Sequence, residues 1–122
     1  LTLVGSGFST DLALKAREKL LAQGISCDVV DLRILNPLNS APLLESVCKT
    51  GRLIAVDGGW SACGVSAEIL ALVAEQIPPG KLQSSPARVT LPDAPAPTSR
   101  VLEEAYYPSS EVIVSTALRL LG

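Results

Sequence analysis

Several residues in this chain have types and spacings that could do chemistry. Gly5-Ser6-Gly7 follows an apolar run and opens a helical pattern, and Asp28 and Asp31 lie on the next apolar run. In that arrangement a nucleotide pyrophosphate meets a helix N-terminus and an acid takes the ribose. The third small position of such a motif falls on Thr10, whose side chain hinders the close helix packing that glycine permits. A turn followed by a helix cap accounts for the same residues. Cys63, beside Gly64 and just before a helix, could carry a lowered thiol pKa. Asp57 closes a continuous apolar run and could ligate a metal, but no second acid stands at usable spacing, so a loop-capping role is expected. The chain contains no histidine. It therefore lacks the general acid or base that titrates near neutrality, and imidazole for a metal site. With nothing to activate it, Cys63 reads as a small packing residue. These residues predict a domain that folds and docks, with no catalytic, cofactor-binding or metal-binding group of its own.

Docking needs area and rigidity more than reactivity. Trp60 is the only tryptophan, in the expected loop Gly58-Gly59-Trp60-Ser61. A large aromatic with one polar handle suits a subunit interface there; the competing account folds it back over its own core. Asp93-Ala94-Pro95-Ala96-Pro97 and Tyr106-Tyr107-Pro108 are the stiffest irregular segments. Rigid loops lose little entropy on docking, although protection of a sheet edge would use the same residues. Glu103-Glu104, after Arg100, reads as a solvated face that could also receive a basic partner. The interface candidates are thus Trp60, Asp93, Pro95, Pro97, Glu103, Glu104, Tyr106 and Tyr107.

The elements that must position them follow from composition and periodicity. The chain has 122 residues, 48% hydrophobic but only 3% aromatic. Its core must come from Leu, Ile, Val and Ala, the make-up of sheets covered on both faces by helices. Strands are expected at Leu1–Val4, Cys27–Leu32, Leu53–Val56 and Ala87–Leu91. The first helix is expected to start at a Ser9, Thr10 or Asp11 cap and stop at Gly24, burying Leu12, Ala13, Ala16, Leu20 and Leu21. Others are expected at 40–50, at 65–76 and from Ser109 or Ser110 onward, the last burying Val112, Ile113, Ala117, Leu120 and Leu121. Residues 33–39 read as irregular, and Leu102–Tyr107 as a helical turn or a short edge strand. The alternating order predicts a three-layer α/β/α fold with an open, mostly parallel (mixed) sheet of about five strands.

Charge and cysteines narrow the function classes. A net charge of -2 gives no electrostatic reason to expect nucleic acid or anionic lipid as partner. No apolar run approaches the roughly 20 residues of a membrane span. Three cysteines without C-x-x-C spacing predict a reducing compartment and neither a disulfide scaffold nor a zinc site. Because the chain opens inside a strand without a leading Met, residues 1–122 are expected to be one domain of a longer protein.

One family shares these landmarks in this order. Val30-Asp31-Leu32-Arg33, Pro37-Leu38, Lys49-Thr50-Gly51-Arg52-Leu53, Gly58-Gly59-Trp60, Gly64-Val65 with Ala67-Glu68-Ile69, and Arg88-Val89-Thr90 with Pro92-Asp93-Ala94-Pro95 resemble the C-terminal domain of the transketolase superfamily. Within it, the chain is most similar to the beta subunit of the decarboxylating component of 2-oxo acid dehydrogenase complexes, with Gly58-Gly59-Trp60 leaning to the pyruvate branch. The resemblance implies a parent heterotetramer that decarboxylates a 2-oxo acid on thiamin diphosphate and magnesium and acylates a lipoyl group. It also implies that cofactor and catalytic histidines lie outside this segment. The implied partners are a second beta subunit, an alpha subunit and the basic peripheral subunit-binding domain of the acyltransferase core. The implied location is the bacterial cytoplasm, or the matrix or plastid of a eukaryote. Asn39, Ala96 and the short Ser61-Ala62-Cys63 depart from the usual pattern. Transketolase, deoxyxylulose phosphate synthase and acetoin-cleaving enzymes carry the same domain and stay open as parents, as does a free-standing nucleotide-binding or interaction domain.

Overall fold

The computed structural model describes residues 1–122. Strand β1 (Thr2–Gly5) turns Leu3 to one face and Val4 to the other, and β3 (Leu53–Trp60) divides Ile54 and Val56 from Leu53 and Ala55 in the same way. With apolar side chains on both faces, each face needs a cover. Helices α1 (Phe8–Leu21) and α5 (Ser110–Leu121) cover the first through Leu12, Ala16, Leu20, Ile113 and Ala117. Helices α2 (Ala41–Thr50) and α3 (Val65–Gln76) cover the second through Leu43, Val47, Ile69 and Val73. Strands β2 (Asp28–Asp31) and β4 (Ala87–Leu91) complete a sheet of order β2-β1-β3-β4, and a short α4 (Arg100–Tyr106) precedes α5. This is the three-layer α/β/α architecture that the alternating pattern predicts.

The sheet departs from the prediction in two respects. It has four strands, not about five, and every pair is parallel, so it is not mixed. The segment that could have made an edge strand, Leu102–Tyr107, is helical: Glu103 and Tyr107 donate their N–H groups to the carbonyls four residues back. β2 is also shorter than Cys27–Leu32, although both end residues are buried. In the opposite direction, β3 runs past Asp57 and takes in Gly58, Gly59 and Trp60, which were expected in a loop. The pairing with β4 slips between Val56 and Trp60, as at a β-bulge.

Helix α1 starts at Phe8 rather than after a Ser9, Thr10 or Asp11 cap. The Ser9 and Thr10 N–H groups are met by the Ser6 and Gly7 carbonyls at 3.1 and 3.0 Å. No side-chain cap is then required, and both residues are buried. Ser109 does cap α5, its hydroxyl accepting from the Val112 N–H. Leu21, Val112 and Leu121, expected inside, are exposed, because the sheet covers only one stripe of each amphipathic helix.

Candidate functional site

In a parallel sheet all strands end on one edge, where α/β proteins place their sites. Four connections leave that edge here, after Gly5, Asp31, Trp60 and Leu91. The first is packed tightly: a Cβ on Gly5 would stand 2.9 Å from the Ser9 carbonyl carbon and 3.0 Å from the Thr10 nitrogen. The glycine thus brings helix to strand. Asp31, at the end of β2, accepts a 3.0 Å hydrogen bond from the Thr10 hydroxyl and one of 3.2 Å from Arg33 Nε. The carboxylate that would take a ribose is engaged by the residue that breaks the nucleotide motif. Asp28 begins β2 and so lies at the other edge, bonded by Lys49 Nζ at 3.0 Å and the Ser46 hydroxyl at 3.1 Å. The Lys49 ammonium, aided by Ser46 and opposed by partial burial, holds the Asp28 carboxyl below the usual range. The two acids share no site.

Asp57 caps, as expected. One of its oxygens accepts from the Gly59 N–H at 2.9 Å and the other from the Ser66 N–H at 2.8 Å. It therefore ties the bulged end of β3 to the first turn of α3. Gly64 makes that closure possible, since a Cβ there would lie 2.2 Å from the Trp60 carbonyl oxygen and 2.7 Å from Asp57 Oδ2. Cys63 is exposed with φ 57° and does not pack as the sequence suggested; the sharp turn into Gly64 carries it outward. Cys27 is buried, and burial raises its thiol pKa. No three His, Cys, Asp or Glu side chains converge on a common point. With Asp31 and Asp57 already bonded, the residues at this edge do not fit thiamin diphosphate with its metal ion.

What the edge does assemble is a rigid aromatic corner. Trp60 Nε1 donates to the Tyr106 hydroxyl at 3.3 Å, and that hydroxyl donates to the Ala94 carbonyl at 2.7 Å. One buried phenol thereby fastens the end of β3, the proline-rich loop and α4 together. Tyr107 meets the Tyr106 ring edge-on at 5.1 Å. Trp60 is half exposed, 51%, neither loose in a loop nor folded into the core. Asp93 and Pro95 are exposed and Pro97 is partly buried. Trp60, the 93–97 loop, Tyr106 and Tyr107 are brought together. Glu103, partly buried, and Glu104, exposed, ride on α4, and Glu104 accepts from Arg100 Nε at 3.3 Å.

The sequence reading missed a set of exposed apolar residues on the same edge. Phe8 follows β1, Ile34 and Leu35 follow β2, and Val101 and Leu102 follow β4, all exposed. With Trp60 they put a solvent-facing hydrophobic side chain at the ends of β1, β2 and β3 and on α4, which the Trp60–Tyr106 hydrogen bond fastens to the end of β3. The available signal, for Phe8, Ile34 and Leu35, was apolar residues standing just beyond strand ends.

A doubly wound parallel α/β domain with such an edge belongs to a broad class. The comparisons narrow it. The chain belongs to the family "Transketolase, C-terminal domain", which matches residues 1–113. It is 37% identical over its whole length to the mitochondrial pyruvate dehydrogenase E1 component subunit beta of Ascaris suum, covering 34% of that protein. It is 39% identical to the acetoin:2,6-dichlorophenolindophenol oxidoreductase subunit beta of Bacillus subtilis, with 99% of this chain and 35% of the relative covered. Among solved structures it resembles "Split gene transketolase, inactive beta4 tetramer" with a TM-score of 0.81 and 26% identity, covering 98% of this chain and 37% of that one. The chain therefore spans about a third of the length of the relatives it matches.

Proposed function

We propose that residues 1–122 form the C-terminal assembly domain of the beta subunit of a thiamin diphosphate-dependent 2-oxo acid dehydrogenase. The parent enzyme decarboxylates pyruvate or a related 2-oxo acid on thiamin diphosphate and magnesium bound elsewhere, and passes the acyl group to a lipoyl arm. This domain fixes subunit geometry, on which the remote reaction depends. Its partners are a second beta subunit, the alpha subunit and the basic binding domain of the acyltransferase core. The observation that carries the reading is the exposed apolar residue at the ends of β1, β2 and β3 and on α4, braced by Trp60, Tyr106 and Ala94. A monomer has no use for such a surface, whereas a subunit interface needs rigid aromatic and aliphatic anchors. The names of the relatives, beta subunits and a tetramer, support the same reading.

The test uses the complete beta-type protein co-expressed with its alpha-type partner. Trp60→Ala combined with Leu102→Glu is expected to dissociate the complex and abolish 2-oxo acid decarboxylation together, with the circular dichroism of the domain unchanged. Intact assembly and activity in that variant sink the reading. The 39% identity to the acetoin oxidoreductase subunit favours one alternative parent, an acetoin-cleaving enzyme. Assaying the wild-type complex with pyruvate and with acetoin separates the two. A free-standing nucleotide-binding domain would show micromolar NAD or ATP binding in titration calorimetry, and none is expected.

A further inference from the structure

The flank beside β4 carries a second feature, which borders the aromatic corner at Tyr106 and Tyr107. β4 pairs only with β3, and beyond that ladder its backbone makes one hydrogen bond, accepted by the Leu91 carbonyl from the Thr90 hydroxyl at 3.2 Å. Its free edge is the wall of a groove of about 300–1,000 Å³, the size range of clefts that take ligands, with a volume here of about 530 Å³. The facing wall is α5, which contributes Val112, Ser115, Thr116 and Arg119. These recur at the three- and four-residue spacing of a single helical stripe. Tyr107 and Pro108 close one end.

The groove's charge is the reverse of the molecule's. The protein carries 12 acidic and 10 basic residues, yet the groove is lined by Arg88 and Arg119 with no acid at all. Arg119 is exposed and makes no ion pair, and Arg88 donates to the Ser61 carbonyl at 2.7 Å, leaving its other N–H groups free of protein partners. An unpaired strand edge supplies alternating N–H and C=O groups to any extended backbone laid along it. Pro86 and Pro92 bracket β4, and because proline cannot donate to a ladder they confine such pairing to the length of the strand.

We propose that this groove binds an extended, acidic peptide segment, which adds to β4 as a fifth strand and sets carboxylates against Arg88 and Arg119. Arg88 and Val89 point to opposite faces of the sheet, and Val89 packs with the α1 and α5 core. The segment therefore needs acids at adjacent positions, one for each face. Guanidinium–carboxylate pairing supplies the selectivity, and the backbone ladder supplies the register.

The test is amide-resolved NMR of the 15N-labelled protein with a short capped peptide holding two central glutamates between valine and threonine. The glutamate peptide is expected to shift the amides of residues 87–91 and slow the exchange of those on the free edge. Its lysine counterpart is expected to shift none, and a backbone N-methylated glutamate peptide is expected to bind far more weakly. Arg119→Glu, at an exposed helix position, should weaken the glutamate peptide about tenfold or more. Glutamate and lysine peptides binding alike, the N-methylated peptide binding as well as the parent, or no β4 shift at about 1 mM peptide each overturns the proposal.

Discussion

At the scale of single residues, Tyr106 carries a role out of proportion to its size. Its hydroxyl is donor and acceptor at once, so a phenylalanine leaves the Ala94 carbonyl and the Trp60 indole N–H without their partner. Both lie near solvent, where water partly replaces the lost bonds. Tyr106→Phe is therefore expected to cost about 1 kcal/mol in urea unfolding, and to red-shift the emission of the sole tryptophan as Trp60 loosens. Unchanged emission would mean that the hydroxyl does not hold Trp60. Gly64 is the stricter case. A methyl group there meets backbone oxygen at 2.2 Å, and backbone cannot rotate away as a side chain can. Gly64→Ala should destabilise by about 3 kcal/mol, seen as a fall in the urea midpoint, whereas Gly58→Ala, with only Ser9 Oγ nearby at 3.8 Å, should cost far less. Asp57 could be read from sequence as a cap, because it closes an apolar run and no second acid stands at usable spacing to make it a ligand. The Trp60–Tyr106 bond could not, since it joins residues 46 apart whose meeting depends on the bulge in β3.

At the scale of elements, α1 and α5 are fastened across their exposed faces by Lys19, which donates to both the Ser110 hydroxyl and the Glu111 carboxylate. The Lys19 ammonium, first among several favourable contacts, lowers the Glu111 pKa from 4.5 to about 2. A carboxyl with a depressed folded-state pKa stabilises the fold above its unfolded value and loses that contribution as pH falls through the folded one. The contact is thus fully present above pH 4.5 and is lost between pH 4.5 and about 2. The Tm gap between wild type and Glu111→Gln should therefore be constant near neutrality, shrink across that window, and narrow in high salt because both side chains are exposed. A gap that persists at pH 2 would mean that the carboxylate is not the source. Helices α2, α3 and α5 were legible because periodicity and boundary signals agreed, whereas the short α4 reads in sequence equally as a turn or an edge strand. Val65–Gln76 and Ala87–Leu91 have the limits expected from the sequence. The ends of β2 and β3 were not, since strand ends depend on a neighbour's register and on bulges, neither of which leaves a mark in local composition.

At the scale of the whole molecule, the parallel sheet makes one edge different from the other. Each strand delivers its chain to the same side, so Phe8, Ile34, Leu35 and Trp60 gather there although they are far apart in sequence, and the Trp60–Tyr106 hydrogen bond brings α4 with Val101 and Leu102 to the same edge. Doubly wound topology, legible from the alternating order, was thus enough to place the surface; which side chains would stay uncovered was not, because exposure is settled only by what fails to pack. A chain holding this edge open to water should associate with itself through it. Sedimentation velocity is expected to show a rise in average mass with concentration. Leu35→Asp and Leu102→Glu should suppress that rise without lowering Tm, since neither side chain is buried. Leu118→Glu makes the decisive comparison. Leu118 is also exposed, at 42%, but it lies in the last turns of α5, away from the strand-end loops. If it suppresses association as strongly as the other two, the contact is general stickiness of an apolar surface; if it leaves association intact, the carboxyl edge of the sheet is the surface through which the domain associates with itself.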